Sequence, residues 1–68
     1  MRQDVHVTPA DHGKWNVKDE SNKQASSVHE TQEEAIDAAR KKAQNNGSEL
    51  VIHGEDGQIR EKFSSGDN

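Results

Sequence analysis

The chain has 68 residues, no cysteine, a formal net charge of −4 and only 26% hydrophobic residues. That length allows one domain, and the lack of cysteine excludes disulfides, thiolate zinc sites and a cysteine nucleophile. The acidic balance is unlike the bulk charge of a nucleic-acid binder, and no stretch approaches the roughly 18 apolar residues that span a bilayer.

Val5 and Val7 alternate with Asp4, His6 and Thr8 at strand period, and Pro9 ends the run. Ala10-Asp11-His12-Gly13 reads as a turn. Residues 14–18 alternate again, with Trp15 and Val17 on one side and Lys14, Asn16 and Lys18 on the other. A second turn is expected over residues 19–23, centred on Ser21-Asn22. A weaker, serine-rich strand follows over residues 24–29, with Ala25 and Val28 its apolar members.

The helix is the clearest element. Thr31-Gln32-Glu33-Glu34 fits a capping box, in which the Thr hydroxyl accepts from the third helical amide. Glu33 and Glu34 suit the positive end of the helix dipole, and Arg40, Lys41 and Lys42 suit the other. Asp37 and Lys41 form an i,i+4 pair, and Asn45-Asn46-Gly47 supplies a left-handed stop. The buried face is predicted to be Ala35, Ile36, Ala39 and Ala43, with Ala38 at its edge. Small side chains let such a helix lie close to a sheet but contribute little burial each.

Leu50-Val51-Ile52 reads as a central strand. Glu55-Asp56-Gly57-Gln58 reads as a hairpin turn of type I′, and Ile59, Glu61 and Phe63 alternate with Arg60 and Lys62 along an exposed edge strand. Residues 64–68 are expected to be a flexible tail. The order is therefore β-β-β-α-β-β. The expected fold is α+β, one compact domain over residues 1–63. Five strands joined by tight turns imply an antiparallel sheet with the helix packed on one face. The structural anchors are Trp15, Val17, Ala35, Ala39, Leu50, Ile52 and Ile59.

At this point the ordered set of motifs resembles a known family. His6-Val7-x-Pro9, Trp15-x-Val17-Lys18, Ala25-Ser26, Thr31-Gln32-x-Glu34-Ala35, Glu49-Leu50-x-Ile52-His53 and Asp56-Gly57-x-Ile59 are similar to the small bacterial family catalogued as domain of unknown function 2188. The likeness runs over roughly residues 5–60. Ser21-Asn22 stands where a glycine is expected in the second turn, which leaves that turn's type open. The resemblance implies a compact bacterial domain without an assigned activity, so no catalytic residue is carried over.

Four histidines are many for this length. His6 and His53 can meet across neighbouring strands, with Asp4 or Glu49 nearby. A metal site needs three or four converging ligands, and no His-x-x-x-His or His-Glu-x-x-His pair occurs, so neither a metal nor a cofactor is expected. Ser26, Ser27 and His29 are raw material for nucleophilic catalysis, but one helix on one sheet offers little concavity, and the chain is not expected to be an enzyme. Trp15 is most simply a core anchor. As a stacking platform it would need a basic surround, for which Lys14, Lys18, Lys23, Arg60 and Lys62 are available.

The apolar supply is thin: Leu, Ile, Val and Phe together number ten. A domain of this size buries only about 60% of its unfolded surface. Self-association would add stability through mass action. The sequence therefore points to a non-enzymatic interaction or accessory domain, with a homodimer or protein partner formed on the free sheet face. Val28, Val51 and Phe63 are candidates for that surface. The alternative is a nucleic-acid accessory domain using a strand face with Lys14, Lys18, Arg60 and Lys62 beside His6 and His53. A small enzyme or metal-binding domain is a more distant alternative. The N-terminal stretch carries no apolar signal segment and the helix's outer face, with Gln32, Glu33, Asp37, Arg40, Lys41 and Gln44, is not membrane-binding, so the cytoplasm is the expected location.

Overall fold

The computed structural model describes residues 4–19 and 27–64. Among the described residues the elements are β1 (Val5–Pro9), a 3-10 turn (Asp11–Gly13), β2 (Trp15–Asp19), β3 (Ser27–His29), α1 (Gln32–Asn46), β4 (Glu49–His53) and β5 (Ile59–Ser64). The expected tight turn at Ser21-Asn22, Lys23 and the first residues of the third strand, Ala25 among them, lie outside the described residues, as does most of the expected tail. Ser64, placed in that tail, closes β5.

One helix packs on one five-stranded sheet of order β3-β2-β1-β4-β5. The fold is α+β, but the sheet is mixed rather than antiparallel. β1 pairs β2, β2 pairs β3 and β4 pairs β5 antiparallel, whereas β1 and β4 are parallel, with His6 level with Val51. The reason is the connection. A helix of 15 residues carries the chain back along the sheet at about 1.5 Å per residue, so β4 leaves in the direction in which β3 and β1 run.

Local chemistry fixes the ends of α1. The Thr31 hydroxyl accepts from the Glu34 amide at 3.2 Å. At the other end Gly47 has φ of 64°, its amide donates to the Gln44 carbonyl, and the Ser48 amide donates to Ala43 at 3.0 Å. This is a Schellman closure, which needs a residue free to be left-handed. The first turn stores some strain, since His12 also has positive φ, at 62°, a conformation unusual outside glycine.

Val5, Val7, Trp15, Val17, Leu50 and Ile52 form the sheet side of the core, and Ala35, Ala39 and Ala43 form the helix side. Ile36 and Ala38 pack at its margin. Trp15 is 8% exposed, as an anchor should be. Ile59 is not an anchor: it is 56% exposed. A bulge lies between Ile52 and His53, after which Ile59 pairs His53, while Glu61 pairs Ile52 and Lys62 pairs Val51. The extra residue, Arg60, breaks the period of two. Ile59 and Lys62 are thereby brought to the face away from the helix, and Glu61 and Phe63 to the helix side.

The hairpin turn also differs from expectation. Of Asp56 and Gly57, only Gly57 has positive φ, which a type I′ turn does not allow. The Gly57 amide closes a tight turn on the Gly54 carbonyl at 2.9 Å, and Gly57 then takes the left-handed position of a three-residue loop.

Candidate functional site

The face of the sheet opposite α1 is assembled from alternate residues of every strand. Its central row is Lys18, His6, Val51 and Lys62, neighbours in register across β2, β1, β4 and β5. The next row holds Val28, Asn16 and Thr8. Carried one residue further, the parallel register sets His53 and its partner Ile59 level with Thr8.

His6 and His53 meet at the middle of this face. His6 Nδ1 lies 3.0 Å from His53 Nε2, and the ring centroids are 5.2 Å apart. His53 Nδ1 lies 3.0 Å from the Gly57 carbonyl oxygen. That oxygen only accepts, so His53 Nδ1 carries a proton, and in the neutral ring His53 Nε2 is the acceptor facing His6. The pair therefore ties β1 to β4 and, through Gly57, to the hairpin loop. Nearby, the Asp4 carboxylate accepts from the Glu49 amide at 3.2 Å, so it is engaged with backbone. Among the described residues no group of three or more His, Cys, Asp or Glu is arranged to hold a metal ion.

The four expected cations do not form one patch. Lys18 and Lys62 share the central row. Lys14 lies 3.4 Å from Glu30, and Arg60 donates to the Gln32 side-chain oxygen at the start of α1. Val51 is only 2% exposed, because it lies between His6 and Lys62, and Phe63 is on the helix side. Of the residues expected to offer an apolar second surface, Val28 alone does so, joined by Ile59.

Ser27 Oγ and His29 Nε2 are 2.8 Å apart on β3, two residues apart along an edge strand. Among the described residues no third group orients the imidazole, and the pair lies outside the cavity of about 240 Å³ that Pro9, Ala10, Gly13, Lys14, Trp15 and Glu55 line. Nucleophilic catalysis needs an oriented base and a site for the substrate carbonyl beside the nucleophile.

Two polar links have little signal in the sequence. Gln32 donates to the His53 carbonyl at 3.1 Å while accepting from Arg60, which pins the helix N-terminus to β4 and β5. Asp19, 7% exposed, sits 3.3 Å from Lys42. A glutamine opening a helix is common in solvent, so its type does not mark Gln32, and for Asp19 the one sign is the inward parity it shares with Trp15 and Val17.

The family model described as "uncharacterized protein conserved in bacteria" matches residues 5–65. The "Uncharacterized protein YdaT" of Bacillus subtilis (strain 168) is 35% identical over 66 residues, 97% of this chain and 43% of that protein. The chain thus spans less than half the length of that relative. No solved structure matches. No helix among the described residues is long and apolar enough to cross a membrane. With the match covering all five strands and the helix, the chain belongs to the bacterial family called domain of unknown function 2188.

Proposed function

We propose that the domain is a non-enzymatic interaction module that associates with a second copy of itself through the sheet face that α1 leaves open. One observation carries this reading. Val28 and Ile59, 54% and 56% exposed, lie on that face at its two edges, with β1 the middle of the five strands. A two-fold axis along β1 exchanges β3 with β5 and β2 with β4. It sets Val28 of one copy on Ile59 of the other, twice over, as an isologous contact requires. It also sets Lys18 over Val51 of the second copy rather than over another lysine.

Edge pairing through β5 is the poorer route. Any symmetric antiparallel register centred on Arg60, Glu61 or Lys62 places one of these charges opposite itself, which is destabilising. Nucleic acid is also a poorer partner, since Lys14 and Arg60 are engaged elsewhere.

Size sets the strength. Strands about 4.8 Å apart and 3.3 Å per residue give this face an area of about 400 Å². Two copies bury about 800 Å² in total, below the roughly 1,000 Å² of a stable interface, so the association is transient. Sedimentation velocity from about 20 to 500 µM, a range suited to such a small interface, should show a sedimentation coefficient rising with concentration. Ile59→Lys should abolish the rise, and Phe63→Lys, on the helix side, should not. A concentration-independent monomer, or equal effects of the two variants, would sink the proposal.

A further inference from the structure

We propose that His6 and His53 form a pH-sensitive latch between β1 and the β4–β5 hairpin, closed with one proton in the gap between the rings and opened when both rings become cations. The gap is 3.0 Å between His6 Nδ1 and His53 Nε2, which accommodates one proton and not two. The Gly57 carbonyl holds a proton on His53 Nδ1, so His53 cannot become neutral by giving up that proton without losing this bond. The first proton added to the pair leaves one ring cationic, and the link between the rings survives. The second must enter the gap itself. His53 Nε2 and His6 Nδ1 then both carry protons and the rings separate.

The surroundings set the direction. On the same face the pair meets Lys18 from β2, level with His6, and Lys62 from β5, level with Val51. Among the described residues the acids on this side are Asp4, which accepts from the Glu49 amide, and Glu49. The hairpin loop adds Glu55 and Asp56, the latter accepting from the Gln58 amide. From α1 Gln32 donates to the His53 backbone carbonyl, and the Gln32 side-chain oxygen accepts from the cation of Arg60. With both rings charged, the open face carries cations at Lys18, His6, His53 and Lys62, and their mutual repulsion favours separation. The consequence is a face whose charge and shape change together as pH falls. Histidine is the side chain suited to that range.

This inference does not depend on self-association, and its test uses the dilute, monomeric full chain labelled with nitrogen-15 in its imidazoles. At neutral pH a nitrogen–nitrogen coupling through the hydrogen bond should connect the two rings, and His53 Nδ1 should be the protonated nitrogen. On acidification the coupling should persist through the first protonation and vanish with the second, as amide exchange in residues 54–58 quickens. In His6→Leu the coupling should be absent, and acid should no longer quicken exchange in that loop. No coupling at neutral pH, or a coupling that persists when both rings are cationic, would overturn the latch.

Discussion

Asp19 ends β2 with its carboxylate turned under the helix, where one oxygen lies 3.3 Å from Lys42 Nζ and the other has no hydrogen-bond partner among the described residues. A carboxylate this enclosed is tolerable only with its countercharge in place. Lys42→Met keeps most of the apolar stem and removes the ammonium. It should lower the unfolding free energy by roughly 1–3 kcal/mol, the cost of stranding a buried polar group, as read from a urea midpoint. Adding Asp19→Asn should restore part of the loss, because a neutral amide needs no cation. An unchanged midpoint in Lys42→Met would mean that water already screens the pair. The sequence carried a usable sign of this arrangement. Trp15, Val17 and Asp19 share one parity, and the same alternation that placed Trp15 inward places Asp19 inward too. The turn preference of aspartate outweighed it. The His6–His53 contact was readable for a simpler reason: both residues lie on well-defined strands, on the parity opposite the core.

At the scale of elements, the helix and its ends were the most legible part, because caps act over three or four residues and are written in residue type. Thr31, Gly47 and the alanine stripe took the places expected of them. That stripe makes a quantitative demand. Ala35, Ala39 and Ala43 are fully buried, so the helix backbone lies close above β1 and β2. Ala39→Leu forces extra carbons into that contact and should destabilise the domain by roughly 1–3 kcal/mol, as overpacking does. Lifting the helix should also wet Trp15, so native-state fluorescence should shift to longer wavelength. Ala38→Leu, at the margin, should do neither. Strand partners were much less legible than strand positions. Local periodicity is blind to whether a helical connection returns β4 parallel or antiparallel to β1, and nothing in Ile59-Arg60-Glu61 announces the bulge that exchanges their faces. Ile59 is therefore turned outward by a backbone irregularity, not by anything in its own side chain.

At the scale of the whole molecule, the thin core and the open sheet face are two sides of one design. With the helix covering one face, five strands leave a second face that bears, among the described residues, two exposed aliphatic side chains at its edges and a histidine pair near its middle. In the two-fold arrangement proposed above, His6 lies on the axis and faces its own copy. Charging both rings in each chain brings four new cations together between the sheets, beside Lys18 and Lys62. The separated monomers can keep those charges in water, whereas the dimer must crowd them, so the monomers bind protons more readily. By linkage, association is then strongest near neutral pH and is lost as pH falls. Sedimentation at fixed high concentration should show the dimer fraction falling as the solution is acidified from neutral pH. The fall should be steeper at low salt, where repulsion is less screened. His6→Leu should retain association into the acid range, provided Ile59 and Val28 supply the contact. If the parent chain and His6→Leu lose association at the same pH, the histidines are not at the interface, and the axis must be drawn along a different strand.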